Sequence, residues 1–181
     1  MTMHKPLRTL AIATFAAVFM LAANAATDKS ASQQAADSVV TAKVKTALVG
    51  DPLTKAHDID VEVFKGRVQL NGFVASDAER KQAGSLAKAV DGVVGVDNNL
   101  ALKDGKRSAG AVVDDATLTV KVKAALAKDD RTKAHQINVE TRNSVVMLAG
   151  FVNTKADIMA ANDIARSVTG VARVDNQLAA K

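Results

Sequence analysis

The sequence predicts an α+β protein of two tandem αββαβ domains, each a three-stranded sheet with two helices on one face. Three observations carry this. The chain matches itself when displaced by 78 residues, so that Val44 falls on Val122. Within each copy, apolar residues switch between helical spacing and strict alternation in the order helix, strand, strand, helix, strand. Hydrophobic residues make up 48% of 181, enough for two small cores.

The self-match runs without a gap from Thr41 to Lys103, and about half of the aligned positions are identical. Val44-Lys45-Thr46-Ala47-Leu48 aligns with Val122-Lys123-Ala124-Ala125-Leu126, and Val68-Gln69-Leu70-Asn71-Gly72-Phe73-Val74 with Val146-Met147-Leu148-Ala149-Gly150-Phe151-Val152. Two copies of this length are two globular domains, not a solenoid. We place them at 37–103 and 115–181, joined by a polar, glycine-containing linker over 104–114.

The first helix carries Val40, Val44, Ala47 and Leu48 on one face, and Leu118, Val122, Ala125 and Leu126 in the second copy. Asp37 or Ser38 is placed to cap it. Strand one alternates Ile59, Val61 and Val63 with Asp60 and Glu62. Lys65-Gly66 then makes a two-residue hairpin, because glycine accepts positive φ; the second copy uses Asn143-Ser144. Strand two buries Val68, Leu70 and Val74. Ser76 and Glu79 form a capping-box pattern for the second helix, with a weaker version at Thr154 and Asp157. That helix buries Ala83, Leu86, Ala87 and Val90, or Ala161, Ile164, Ala165 and Val168. Gly92 and Gly170 stop it. The last strands run over 96–102 and 174–179. Two helices cannot cover both faces of a sheet, so the other face is expected to be open or to meet a partner.

The first 25 residues read differently. Lys5 and Arg8 precede an apolar run from Leu10 to Ala22, then Ala23-Asn24-Ala25. This is a secretory leader pattern with cleavage expected before Ala26. The run is too short to span a bilayer, which takes about 20 residues. No cysteine stands there to accept a lipid, so the chain is expected in the periplasm and not as a lipoprotein. Residues 26–36, rich in Ala, Ser and Gln, are expected as a frayed lead-in. Losing the leader removes two basic residues and leaves 22 against 19 acidic ones, a net +3.

The quoted strand–turn–strand, Val90-Asp91-Gly92-Val93 and Val96-Asp97-Asn98-Asn99-Leu100, with Val168-Thr169-Gly170-Val171 and Val174-Asp175-Asn176-Gln177-Leu178, resemble the BON domain of bacterial envelope proteins. The resemblance covers most of the chain after residue 36. It implies the αββαβ fold. For a leader followed by two such domains it implies a periplasmic, stress-linked setting. It further implies contact with phospholipid surfaces, or assistance to other envelope proteins. It brings no catalytic motif and no cofactor.

The residues themselves offer little chemistry. A chain without cysteine has no thiolate nucleophile and no Cys-based metal site. His57 and His135 are equivalent positions in different domains and lack further ligands. Asp58, Asp60 and Glu62 form an acidic row, but the second copy has Gln136, Asn138 and Glu140, which reads as a solvated face. Asp114-Asp115 and Asp129-Asp130 lack the alternating oxygens of a calcium loop. Gly72 and Gly150 sit in strands and cradle no phosphate. Three phenylalanines after the leader, with no Trp or Tyr, supply no base-stacking platform. We therefore expect no enzyme, no metal or cofactor, no small-molecule substrate, no nucleic acid, and a monomer.

The copies differ most on the uncovered sheet face. There strand two shows Arg67, Gln69, Asn71 and Phe73 in the first copy, but Val145, Met147, Ala149 and Phe151 in the second. Met159, on the polar side of the second copy's helix, replaces Lys81. Val145, Met147, Phe151 and Met159 are thus the candidate partner surface. Three readings stay open: the domains pack on each other there, the surface meets a partner, or it is merely tolerated. The partner is either an anionic phospholipid surface or an unfolded envelope protein.

Overall fold

The structure, a computed structural model, describes residues 15–54, 59–103, 105, 108–132 and 137–181, with only the backbone of 15–29, 109 and 113. The first half holds α1 (Phe15–Gly50), β1 (Ile59–Phe64), β2 (Arg67–Val74), α2 (Asp77–Lys88), β3 (Gly95–Asn98) and β4 (Ala101–Leu102). The second holds α3 (Ala109–Ala127), β5 (Asn138–Arg142), β6 (Val145–Val152), α4 (Lys155–Ser167) and β7 (Arg173–Ala180). In each half the first two strands pair antiparallel, and the strand after the second helix returns parallel to the central one. Each half is thus a hairpin fused to a βαβ crossover.

The cores are the ones the periodicity predicts. Val40, Val44, Leu48, Ile59, Val61, Val68, Leu70, Ala83 and Ala87 are buried together, as are Leu118, Val122, Leu126, Ile137, Val139, Val146, Leu148, Ala161 and Ala165. Alanine on the second helix lets it lie close to the sheet. The hairpin turns take positive φ as expected: 50° and 75° at Lys65 and Gly66, 50° and 60° at Asn143 and Ser144.

Four local expectations are corrected. Residues 26–36 are helical and continue into the first domain's helix; from Ser30 to Ala36 their side chains are exposed. Ala- and Gln-rich sequence carries no breaker there. Asp37 therefore lies inside α1 and caps nothing. Residues 109–114 of the expected linker are the first turns of α3, which opens on Ser108, whose Oγ accepts from the Ala111 N–H at 3.1 Å. Gly92 and Gly170 do not end their helices, which stop at Lys88 and Ser167. Their φ of 95° and 105° shapes the loop that follows, and a Cβ at Gly92 would sit 2.9 Å from Val40 Cγ2.

The capping boxes also rank opposite to expectation. Thr154 and Asp157 exchange both bonds, at 2.9 and 3.1 Å. Ser76 accepts from the Glu79 N–H at 3.2 Å, but the longer Glu79 side chain overshoots to the Ala75 N–H. Thr154→Ala should cost about 1 kcal/mol, the usual worth of a cap, read as a shift of the urea midpoint at constant slope.

Three duplicated polar residues find structural partners instead of functional ones. Asp37 accepts from the Lys65 and Gly66 N–H groups at 2.8 and 2.9 Å, stapling α1 to the hairpin turn. Asp115 does the same for Asn143 and Ser144, at 2.9 Å each. Thr54 and Thr132, both buried, donate to the Leu48 and Leu126 carbonyls at the ends of α1 and α3. Asn98 and Asn176 donate to the carbonyls of Arg80 and Ile158 on the second helices and accept from the Leu100 and Leu178 N–H groups.

Candidate functional site

Each sheet has one face under its helices, and the two remaining faces meet each other. Met147 and Ala149 are 2% exposed and Phe151 8% exposed; opposite them, Gln69 and Asn71 are 2% exposed. The candidate partner surface is thus divided. Met147 and Phe151 are sealed between the domains, Val145 is half-buried at the turn end of β6, and only Met159 stays open, at 67% exposure. The physical reason is apolar area: two half-covered sheets in one chain bury most by covering each other. Of the three readings left open by the sequence, inter-domain packing accounts for Met147 and Phe151.

The seam is reciprocal. Gly150 N–H donates to Gln69 Oε1 at 3.0 Å, and Gly72 N–H donates to Met147 Sδ at 3.4 Å. Gly72 and Gly150 are equivalent positions, and so are Gln69 and Met147. Phe64 stacks on Phe151 with centroids 5.5 Å apart, while Arg142, the counterpart of Phe64, lies over Phe73 at 5.9 Å. Position i of one domain meets j of the other, and j meets i, as in a two-fold dimer interface. The glycines allow it: φ of 119° and 122° turns their N–H groups out of the ladder toward the other sheet.

This arrangement fixes where the ends point. The turn end of β1 meets the far end of β6, and the turn end of β5 meets the far end of β2. The two hairpin turns therefore lie at opposite ends of the molecule. At the first end, Lys65 and Lys181 place their ammonium groups 5.1 and 5.8 Å from the Phe64 ring. An open groove of about 1090 Å³ runs there between α1 and the seam, lined among others by Thr41, Lys45, Glu62, Phe64 and Phe151. Burial pushes the Glu62 carboxyl above its ordinary range, helped by Asp60 and opposed by Lys45. The equivalent groove at the second end, about 270 Å³, is narrowed by the buried Arg142, which donates to the Gly105 carbonyl at 2.9 Å.

The groups weighed for chemistry stay apart. His57, His135, Asp58 and Gln136 lie outside the described residues. Among the described residues no three His, Cys, Asp or Glu side chains gather as a metal site. Asp129 is held down to about 2 by the Arg131 guanidinium beside it, 2.6 Å away, an exposed structural pair. No described helix is long and apolar enough to cross a membrane.

The sequence pattern of the BON domain matches twice, over residues 36–104 and 114–181. The chain belongs to the BON-domain family. Osmotically-inducible protein Y of Escherichia coli is 40% identical over 80% of this chain and 73% of its own. Outer membrane lipoprotein DolP of Haemophilus influenzae is 34% identical over 93% of this chain and 94% of its own. A 21 kDa hemolysin of Actinobacillus pleuropneumoniae is 30% identical over 81% and 75%. These are two-domain comparisons in extent, so the pairing of BON domains is shared along with the fold.

The groove at the hairpin end of the first BON domain was not legible in the sequence, because α1, the β1 hairpin, Phe151 and Lys181 that line it are distant in the chain. The repeat comparison held the signal: Lys65 faces Asn143 in the alignment, Phe64 faces Arg142, and Val94 faces Ala172.

Proposed function

We propose that this chain is an exported, non-catalytic envelope protein whose BON domains rest reversibly on anionic phospholipid surfaces. The observation that supports this most is the presence of two BON domains, in a chain that opens with a leader-like segment. The leader pattern at 1–25 supports release into the periplasm after cleavage before Ala26. The relatives' names, one induced by osmolarity and one an outer membrane lipoprotein, support a role in the stressed envelope. The alternative, capture of unfolded envelope proteins, leaned on an apolar open face. That face is sealed in the seam, whereas the basic residues a lipid surface would attract, Lys43, Lys45, Lys121 and Lys123, stay exposed, which favours lipid.

A net charge of +3 gives weak, reversible attraction, since each basic residue at such a surface contributes about 1 kcal/mol. The protein lacking residues 1–25 is expected to co-sediment with vesicles containing phosphatidylglycerol but not with phosphatidylcholine alone. The bound fraction should fall as salt rises from about 0.05 to 0.5 M, where the screening length shortens from over 10 Å to under 5 Å. Binding that persists at high salt, with suppression of aggregation of an unfolded envelope protein, would transfer the assignment to client capture. No binding to either vesicle would end the lipid reading.

A further inference from the structure

Two surfaces that meet about a two-fold axis with equivalent positions exchanged can each also meet a copy of themselves. The seam has that symmetry within one chain. Gln69 meets Gly150 and Met147 meets Gly72, so the axis crosses β2 between Leu70 and Asn71 and β6 between Leu148 and Ala149. Leu70 and Leu148 point into their own cores. By alternation Asn71 and Ala149 point into the seam, nearest the axis, and each is 2% exposed. Asn71 Oδ1 accepts from Asn99 Nδ2 at 3.3 Å. Asn71 Nδ2 is buried with no hydrogen-bond partner among the described residues. A buried donor left in that state is costly, and the Ala149 side chain has nothing to accept it.

With a second chain present the same faces have another way to pair, first domain on first and second on second. Each seam contact is then replaced in kind. Gly72 N–H meets the second copy's Gln69, whose amide meets the Asn99 carbonyl, the equivalent of Gln177. Gly150 N–H meets the second copy's Met147, as Gly72 does within one chain. Phe64 meets the second copy's Phe73, and Arg142 its Phe151, in place of the contacts of 5.5 and 5.9 Å. Two separate chains and one such dimer therefore hold the same number of each kind of bond. They differ at the axis. There Asn71 faces the second copy's Asn71, and each amide can donate to the other's oxygen, which has a lone pair to spare. Two Ala149 methyls face each other in the second pair, beside Met147, an unbranched side chain suited to filling the gap. A buried Asn that finds its partner only in its own copy selects that pairing.

We propose that the seam faces are also a self-association surface, through which two copies of this chain trade their internal seams for a two-fold dimer of like domains, held in register by Asn71 against Asn71. Residues 103–107 are the covalent tie between β4 and the cap of α3, so parting the domains breaks the seam and neither core. This inference stands apart from the lipid reading.

The test refolds the chain lacking residues 1–25 from urea, so that the domains part, and reads its mass by sedimentation equilibrium from about 1 μM to 1 mM. A linker this short holds its own domains at an effective concentration of about 1 mM, which sets the dissociation constant of an exchange with no other preference. Two satisfied amides, at about tenfold each, should bring the parent dimer to about 10 μM. Asn71→Ala gives the first face the residue the second already carries at that position, and removes the amide. Ala149→Asn supplies the amide with a partner inside the chain. Both variants should lose the preference and weaken the dimer about 100-fold. They act on different domains, so if one fails to fold the other still decides. A parent that stays monomeric at 1 mM would overturn the proposal. A dimer equally strong in a folded variant would overturn it too, because that dimer would pair first domain with second and owe nothing to Asn71.

Discussion

Asp115→Ala is expected to destabilise the second BON domain by about 2–4 kcal/mol, a large share of what a domain of this size has to lose. The carboxylate is 3% exposed and both its oxygens are taken, one by Asn143 N–H and one by Ser144 N–H. Bonds to an ionised group contribute about 1.5–3 kcal/mol each, and water regains part of that when the side chain is cut back. The turn it holds has two consecutive non-glycine residues at positive φ. Such a turn is strained on its own, so the staple and the turn depend on each other. In a domain of this size the loss corresponds to a fall in melting temperature of about 10–25 °C. Asp115→Asn keeps one acceptor oxygen and should lose about half as much. Asp37→Ala should act alike on the first domain, with a smaller effect because Gly66 relaxes its turn. Scanning calorimetry of the full chain reads both. A melting temperature within about 2 °C of the parent for Asp115→Ala would show that the staple is incidental.

That residue illustrates what the sequence discloses. Asp37 and Asp115 stand at equivalent places just before an apolar helical face, which is where an N-cap belongs. Their real partners are 28 and 29 residues away in the chain. Periodicity reports which face of an element is buried, so the cores, the hairpins and the order of elements were legible. It does not report which polar atom crosses to another element. The same limit governs the seam. Alternation showed that Gln69, Asn71, Met147 and Phe151 share the uncovered faces. Nothing in either strand says that the two faces close on each other, because that depends on a linker of a few residues and on the total area left bare. The leading helix was misread for a related reason. Residues 26–36 carry no apolar face of their own, yet their Ala- and Gln-rich sequence continues a helix already fixed by the core from Asp37 onward, and extension adds a hydrogen bond per residue without a new nucleus.

The seam carries the second large effect. Gln69→Ala is expected to destabilise the paired domains by about 2–4 kcal/mol, since it takes the partner from a buried donor, Gly150 N–H, and a hydrogen bond from a half-buried acceptor, the Gln177 carbonyl. The carboxamide accepts from Gly150 N–H on β6 and donates to the Gln177 carbonyl on β7 at 3.3 Å. It therefore fills a gap in the second domain's ladder, opened where Gly150 turns its N–H away. The reciprocal position is Met147, whose thioether accepts weakly from Gly72 N–H and has nothing to donate. The sheets differ accordingly: β7 runs unbroken from Arg173 to Ala180, whereas its counterpart stops at Asn98 and resumes at Ala101. Gln69→Met should reproduce that break in the second sheet at a cost between those of the parent and Gln69→Ala. Urea denaturation gives the magnitudes, and hydrogen exchange gives the place. The Gly150 amide should lose protection in Gln69→Ala well beyond its neighbours in β6. Unchanged protection at Gly150 would mean that the domains part and meet without using this bond, and the seam would then be contact area alone.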